Sequence, residues 1–191
     1  MDRDSVDSGV LRRLWRAVAS RYSSYDLVLP GENSFICRAA TCNAWCCRAL
    51  SVPVGDADAE RMQRASGLPP AQFLECENGE PIALPLAEPY LLARREGACS
   101  LLGKDLLCSR YEGRPVACRL YPYQPAWLDV ETGRPVSRGA VGAIALVLRH
   151  RECPGFTGPP LGEEEWVELV ASLQRLQSGE SQGSDWPERQ A

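Results

Sequence analysis

The 191-residue chain contains a single histidine, His150. One histidine excludes the histidine clusters of metal hydrolases, and it leaves no spare general base for a Cys–His–Asn nucleophile set. No apolar run reaches the ~18 residues of a membrane span, so no membrane partner is expected. Net charge is −4 and no basic block occurs, so no nucleic-acid partner is expected either. Gly139-Ala140-Val141-Gly142 is too short for a phosphate loop and lacks its lysine. The sequence shows no internal repeat. The opening stretch, MDRDSVDSGVLRRLWRAVASRY, has neither a continuous apolar segment nor an Ala-x-Ala cleavage site. A secretory signal is therefore not expected, and the expected location is the cytoplasm. Thiols stay reduced there, so clustered cysteines point to metal binding or catalysis rather than to disulfides. The cysteine count of nine is odd, which would leave one thiol over in any complete internal pairing.

Cysteine is what the chain has in concentration. Cys37, Cys42, Cys46 and Cys47 fall within FICRAATCNAWCC, a span of eleven residues from first to last thiol. Buried thiols can act as small hydrophobes, but four so close together would waste the space of larger apolar side chains. A Cys46–Cys47 disulfide would be strained, because bridged Cα atoms sit about 5.5 Å apart and neighbours about 3.8 Å. A thiolate shell for a soft metal fits better. Further cysteines stand at 76, 99, 108, 118 and 153, most of them beside a turn-former or an arginine. Four thiolates around Zn²⁺ or a [4Fe–4S]²⁺ cube carry a net −2 charge. Arg38, Arg48, Arg110, Arg114 and Arg119 are placed in sequence to offset it, since a nearby cation favours thiolate.

The expected fold class is α+β: a small, loop-rich, metal-centred domain with N- and C-terminal amphipathic helices. Fifteen prolines and sixteen glycines imply many turns. Residues 8 to 22 read as a helix capped by Ser8, with Val10, Leu11, Leu14, Val18 and Tyr22 on one face. Residues 23 to 36 read as loop, 50 to 54 as a short strand, and 56 to 66 as a helix with an acidic first turn, stopped by Gly67. Pro69-Pro70 opens a short helix carrying Phe73 and Leu74, and residues 77 to 96 read as irregular. Residues 126 to 130 have strand character, followed by a Glu131-Thr132-Gly133 turn. The run at 141 to 149 reads as a strand or a buried helix. Residues 163 to 177 form an amphipathic helix with Trp166, Leu169, Val170, Leu173 and Leu176 on one face. The expected organisation is an N-terminal helix and lead-in at 1–34, a cysteine-cluster domain at 35–160, a packing helix at 161–178, and a disordered tail at 179–191.

The cysteine segments resemble the YkgJ-type cysteine-cluster family, the CxxCxxCC domain described as zinc- or iron-chelating. The resemblance is carried by Cys37, Cys42, Cys46 and Cys47; by Gly97-Ala98-Cys99; by Cys108-Ser109-Arg110-Tyr111; by Arg114-Pro115-Val116-Ala117-Cys118-Arg119-Leu120-Tyr121-Pro122; and by Cys153-Pro154-Gly155. It spans about residues 35 to 160. The opening nest is wider than Cys-x2-Cys-x2-Cys-Cys and is more similar to that of flagellin lysine-N-methylases, which carry a related domain and are normally much longer. The resemblance implies that Cys37, Cys42, Cys46, Cys47, Cys99, Cys108, Cys118 and Cys153 are metal ligands. Cys76 matches no motif position and reads as a core thiol at a helix end. Tyr111, Arg114 and Arg119 are expected around the cofactor, with Arg114-Pro115 as a rigid turn presenting Cys118. Tyr121 and Tyr123 are expected, with Tyr111, to wall the metal from water. His150 reads as a surface or core residue rather than a ligand.

Eight motif cysteines divide into two four-thiolate sites, or into one cluster plus structural thiols. In an extended segment Cys46 and Cys47 would point apart and serve different sites, whereas a tight turn would aim both at one. Zinc takes four tetrahedral N or S ligands, and iron–sulfur clusters take four cysteines at variable spacing. The paired Cys-x2-Cys knuckles of many zinc sites are absent, which favours an iron–sulfur cluster over zinc. Three functions follow from this pattern. One is a metalloprotein whose cluster is structural or transfers electrons. Another, implied by the resemblance to flagellin lysine-N-methylases, is an enzyme or maturation factor for protein modification, acting on a protein substrate. The last is a zinc-stapled module that binds a protein partner.

Overall fold

The computed structural model describes residues 7–178. The architecture is α+β, with helices and small antiparallel sheets. The described residues divide into two compact units: one comprises the chain up to Cys37 and from Leu120 onward, the other Arg38–Arg119. The tail expected to be disordered lies outside the described residues.

The first unit is built on a three-stranded antiparallel sheet. Its central strand, Ala143–His150, lies between Tyr25–Leu27 and Tyr123–Asp129. The ambiguous apolar run is thus a strand, and its stretch Ala145–Leu148 is buried at every residue. The Tyr25–Leu27 strand falls in a segment read as loop; three residues are too few to show a period. The N-terminal helix spans Ser8–Val18 and buries Leu11, Leu14 and Val18. Its cap is Asp7, not Ser8: the Asp7 carboxylate accepts the Gly9 and Val10 N–H groups at 2.8 and 3.1 Å. A carboxylate also suits the positive end of the helix dipole better than a hydroxyl does. The C-terminal helix, Glu163–Ser178, opens on three glutamates and buries Trp166, Leu173 and Leu176. The buried Trp166 indole N–H donates to the Val28 carbonyl at 3.0 Å.

Cys37 and Cys153 both belong to this unit, next to two segments laced by backbone bonds. The Ser34 N–H donates to the Pro159 carbonyl at 2.9 Å, and the Ile36 N–H to the Gly155 carbonyl at 2.7 Å. Gly155 is needed for that approach: a Cβ there would lie 2.5 Å from the Phe35 ring and 2.6 Å from the Ile36 carbonyl oxygen.

The second unit uses very short elements. Two helical turns, Ala39–Cys42 and Trp45–Ala49, carry most of the cysteine nest. They are separated by Asn43 and Ala44, both left-handed at φ 51° and 50°. The helix Asp56–Ser66 forms as expected, with Asp56 and Asp58 in its first turn and Gly67 in the left-handed conformation at its end. Pro70–Gln72 is a single 3-10 turn, which delivers Phe73 and Leu74 to the core. That core joins them to Val54, Ala59, Met62, Leu92 and Leu101. The stretch expected to be irregular contains two-residue strands: Cys76–Glu77 pairs with Glu80–Pro81, Tyr90–Leu91 with Pro53–Val54, and Arg94–Arg95 with Ala98–Cys99. No helix among the described residues is long and apolar enough to cross a membrane.

Trp166→Phe should remove one buried hydrogen bond and orphan the Val28 carbonyl, at a cost of about 1–3 kcal/mol. Chemical denaturation would show a lower midpoint at unchanged slope.

Candidate metal centre

Four cysteines of the second unit are brought into one neighbourhood, each by a different local device. Cys47 lies on the Trp45–Ala49 helix, which packs against the Ala98–Cys99 strand. Cys99 ends a tight hairpin whose register sets it opposite Arg94. The hairpin turns at Glu96 and Gly97, both at positive φ (51° and 79°), a conformation that glycine reaches without penalty. Cys108 is returned to Leu102 by a bridge, beside bonds from the Ser109 N–H and hydroxyl to the Leu101 carbonyl at 2.8 and 3.0 Å. Cys118 sits on the Val116–Leu120 helical turn, directly after the fully buried Pro115. Cys99, Cys108 and Cys118 pack against the apolar core of the unit.

The electrostatics show that these thiols share a field. The Cys118 thiol is pushed far up, first by burial and then by the charges of Cys99, Cys108 and Cys47, with Arg114 opposing. Cys99 is pushed up to about 11, mainly by burial and also by Cys47 and Cys108, while a bond to the Leu101 backbone and the Arg94 charge oppose the rise. Cys47 is pushed up most strongly by its hydrogen bond with Cys46 and then by burial, with Arg114 and Arg48 opposing. Cys46 and Cys47 therefore touch rather than point apart. They lie on a helical turn, where the alternation of an extended strand does not apply.

Besides Arg48, whose charge acts on Cys47, two arginines serve this neighbourhood. The Arg114 guanidinium stacks 3.6 Å above the Tyr111 ring, and its Nε donates to the Tyr111 carbonyl at 2.9 Å. Arg94 donates to the carbonyls of Leu50 and Gly97 at 2.8 and 2.7 Å, and to that of Arg48. It thereby ties the Cys46-Cys47 segment to the Cys99 hairpin. Arg94 was missed in the sequence; its only signal was a position five residues before Cys99. Arg119 is buried, with its backbone N–H on the Pro115 carbonyl at 3.0 Å.

The other residues weighed in the sequence fall in both units. Cys42 is in the second unit, its thiol directed to the Ala39 carbonyl at 3.7 Å. The Cys76 thiol meets the Leu74 and Ala71 carbonyls at 3.4 and 3.6 Å, apart from the four-thiol group's interactions. Cys37, Cys153, Tyr121, Tyr123 and His150 belong to the first unit. There Tyr123 packs edge-on to Phe35 and Phe156. Its hydroxyl is pushed up to about 12 by burial, Cys153 adding to the rise and a bond to the Phe35 backbone and the Arg149 charge opposing. His150 is buried between Tyr25 and Tyr121, ring centroids 5.1 and 5.7 Å away. Its Nδ1 accepts the Glu152 N–H at 3.3 Å, and burial lowers its pKa. No disulfide joins any of the nine cysteines. Among the described residues, no three His, Cys, Asp or Glu side chains are already arranged as the ligand shell of a single ion.

The donor chemistry suits a soft metal. Cys47, Cys99, Cys108 and Cys118 offer only sulfur, from four segments, with arginine charge at hand. A bound cation would oppose the interactions that raise Cys47, Cys99 and Cys118.

Fold and site together define a small α+β protein with a cysteine-only candidate metal centre. The CxxCxxCC family, described as a "Putative zinc- or iron-chelating domain", matches residues 36–140, more than half of the chain, and the chain belongs to it. The matched stretch contains the four-thiol group and ends before Cys153. No curated protein and no solved structure matches the chain.

The raised thiols fix a pH dependence. An ordinary thiol titrates near 9.0 and Cys99 near 11, so between these values the native chain holds more protons than the unfolded one. Stability of the metal-free protein should be full below about pH 9 and fall as pH rises through about 11. Urea titrations across that range should show the decline, and a flat or rising profile would contradict it. Zinc uptake at pH 7 should release protons, measurable as a buffer-dependent binding heat.

Proposed function

We propose that this protein is a metalloprotein in which Cys47, Cys99, Cys108 and Cys118 hold an iron–sulfur cluster, in a structural or electron-transfer role. The observation that carries this reading is the joint charge influence of Cys47, Cys99 and Cys108 on the buried Cys118, thiols drawn from four chain segments. Sulfur is the whole donor set, as in cysteine-ligated iron–sulfur clusters. The paired Cys-x2-Cys knuckles that mark many tetrathiolate zinc sites are absent. Such a cluster supplies one-electron transfer when bound. The protein supplies the rest. Leu101 and its apolar neighbours exclude water behind Cys99, Cys108 and Cys118. Arg94 and Arg114 favour the thiolate forms of Cys99, Cys47 and Cys118.

Protein purified without oxygen should contain iron and acid-labile sulfide and absorb broadly near ~400 nm, where thiolate-ligated clusters absorb. Zinc alone in a colourless protein would overturn the iron–sulfur reading. Cys118→Ser and Cys47→Ser should each lose most bound metal and melt at lower temperature, because ligation is coupled to folding. Cys76→Ser should keep both. Full metal content in the Cys118→Ser and Cys47→Ser proteins would overturn the ligand assignment.

A further inference from the structure

The Asp56–Ser66 helix bears an ion pair between a buried Asp58 and a partly exposed Arg61. Asp58 is 7 % exposed. One of its carboxylate oxygens is hydrogen-bonded by the Arg61 guanidinium one turn on. Its other oxygen accepts the Val116 N–H at 3.0 Å, where the Val116–Leu120 turn begins. Arg61 also donates to the Arg114 carbonyl at 3.1 Å. The pair therefore grips the chain on both sides of Pro115, two to four residues before Cys118. The same helix presses on the preceding loop. A Cβ on Gly113 would lie 2.9 Å from the Ala65 side chain and 3.6 Å from the Met62 Cα. A buried carboxylate is costly unless paired and hydrogen-bonded. Besides Arg61, Asp58 binds the Val116 N–H of the turn that carries Cys118.

We propose that Asp58 and Arg61 are positioning residues: they fix the Arg114–Val116 turn so that the Cys118 thiol faces Cys47, Cys99 and Cys108. The link to metal affinity rests on the metal-binding reading above, whereas the effect on the thiol itself does not. The action of both residues runs through the backbone, as outer partners orient ligands at metal sites.

The test uses the full chain and two readouts. In metal-free protein, alkylation of each cysteine by iodoacetamide is followed by peptide mass spectrometry. Asp58→Ala should label Cys118 about tenfold faster relative to Cys99, because loosening the turn by about 1.4 kcal/mol, within the cost of an unmade buried bond, raises its opened population tenfold. In competition with a chelator, Zn²⁺ should bind about 10–100-fold more weakly to that variant. Arg61→Gln keeps the Asp58 bond to Val116 and releases the Arg114 carbonyl; it serves if Asp58→Ala does not fold, and should show the same bias. A merely structural role predicts that Cys118 and Cys99 accelerate together, and an unchanged labelling ratio in both variants would overturn the proposal. Wild-type protein that takes up no metal, yet shows the biased labelling on substitution, would refute the metal reading while leaving the positioning role standing. Wild-type protein that binds Zn²⁺ with unchanged ratio and affinity in the variants would do the reverse.

Discussion

Four thiolates crowd one neighbourhood only when a cation neutralises them. In water at ~4 Å two like charges repel by about 1 kcal/mol, and the repulsion grows several-fold in a protein interior. The chain places Cys47, Cys99, Cys108 and Cys118 within reach of one another's charge and backs three of them with apolar side chains. Without metal, Cys47, Cys99 and Cys118 are held as neutral thiols, and the small core of Val54, Met62, Phe73 and Leu101 lies against Cys99, Cys108 and Cys118. With metal, the same burial strengthens every sulfur–metal and arginine–sulfur attraction. The fold of this unit is thus compatible with both charge states, and the cation selects between them.

The short elements follow from that arrangement. Long helices or strands would carry the four cysteines on regular faces, whereas hairpins and single turns aim them individually. The Glu96-Gly97 turn delivers Cys99, the Leu102–Cys108 bridge delivers Cys108, and the Pro115 turn delivers Cys118. Arg94 does in space what no single motif does in sequence, tying the cysteine nest to a hairpin about fifty residues later through three backbone carbonyls. The pair Asp58 and Arg61 gives the Cys118 turn a second anchor on the Asp56–Ser66 helix.

The regular helices were legible because each carries its own signals. Asp56–Ser66 has acidic residues at one end and a glycine at the other; Glu163–Ser178 has three glutamates and a recurring apolar face. The cysteines as a class were legible from their density. What escaped the sequence depends on pairing. Tyr25–Leu27 becomes a strand only because Ala143–His150 offers it an edge. Arg94 faces Cys99 only through the hairpin register. Asp58 looked like one acid of a helix start, and its hold on Val116 is set by packing fifty-eight residues away in the chain. The orientation of Cys46 and Cys47 turned on whether their segment is extended or helical, which two left-handed residues before it decide.

The decisive measurement is X-ray absorption at the edge of the metal that purifies with the protein. A ligand shell of sulfur alone, with neighbouring iron atoms beyond it, is expected, and Cys118→Ser should lose sulfur from that shell. A shell in which nitrogen or oxygen fills half or more of the positions would contradict that expectation.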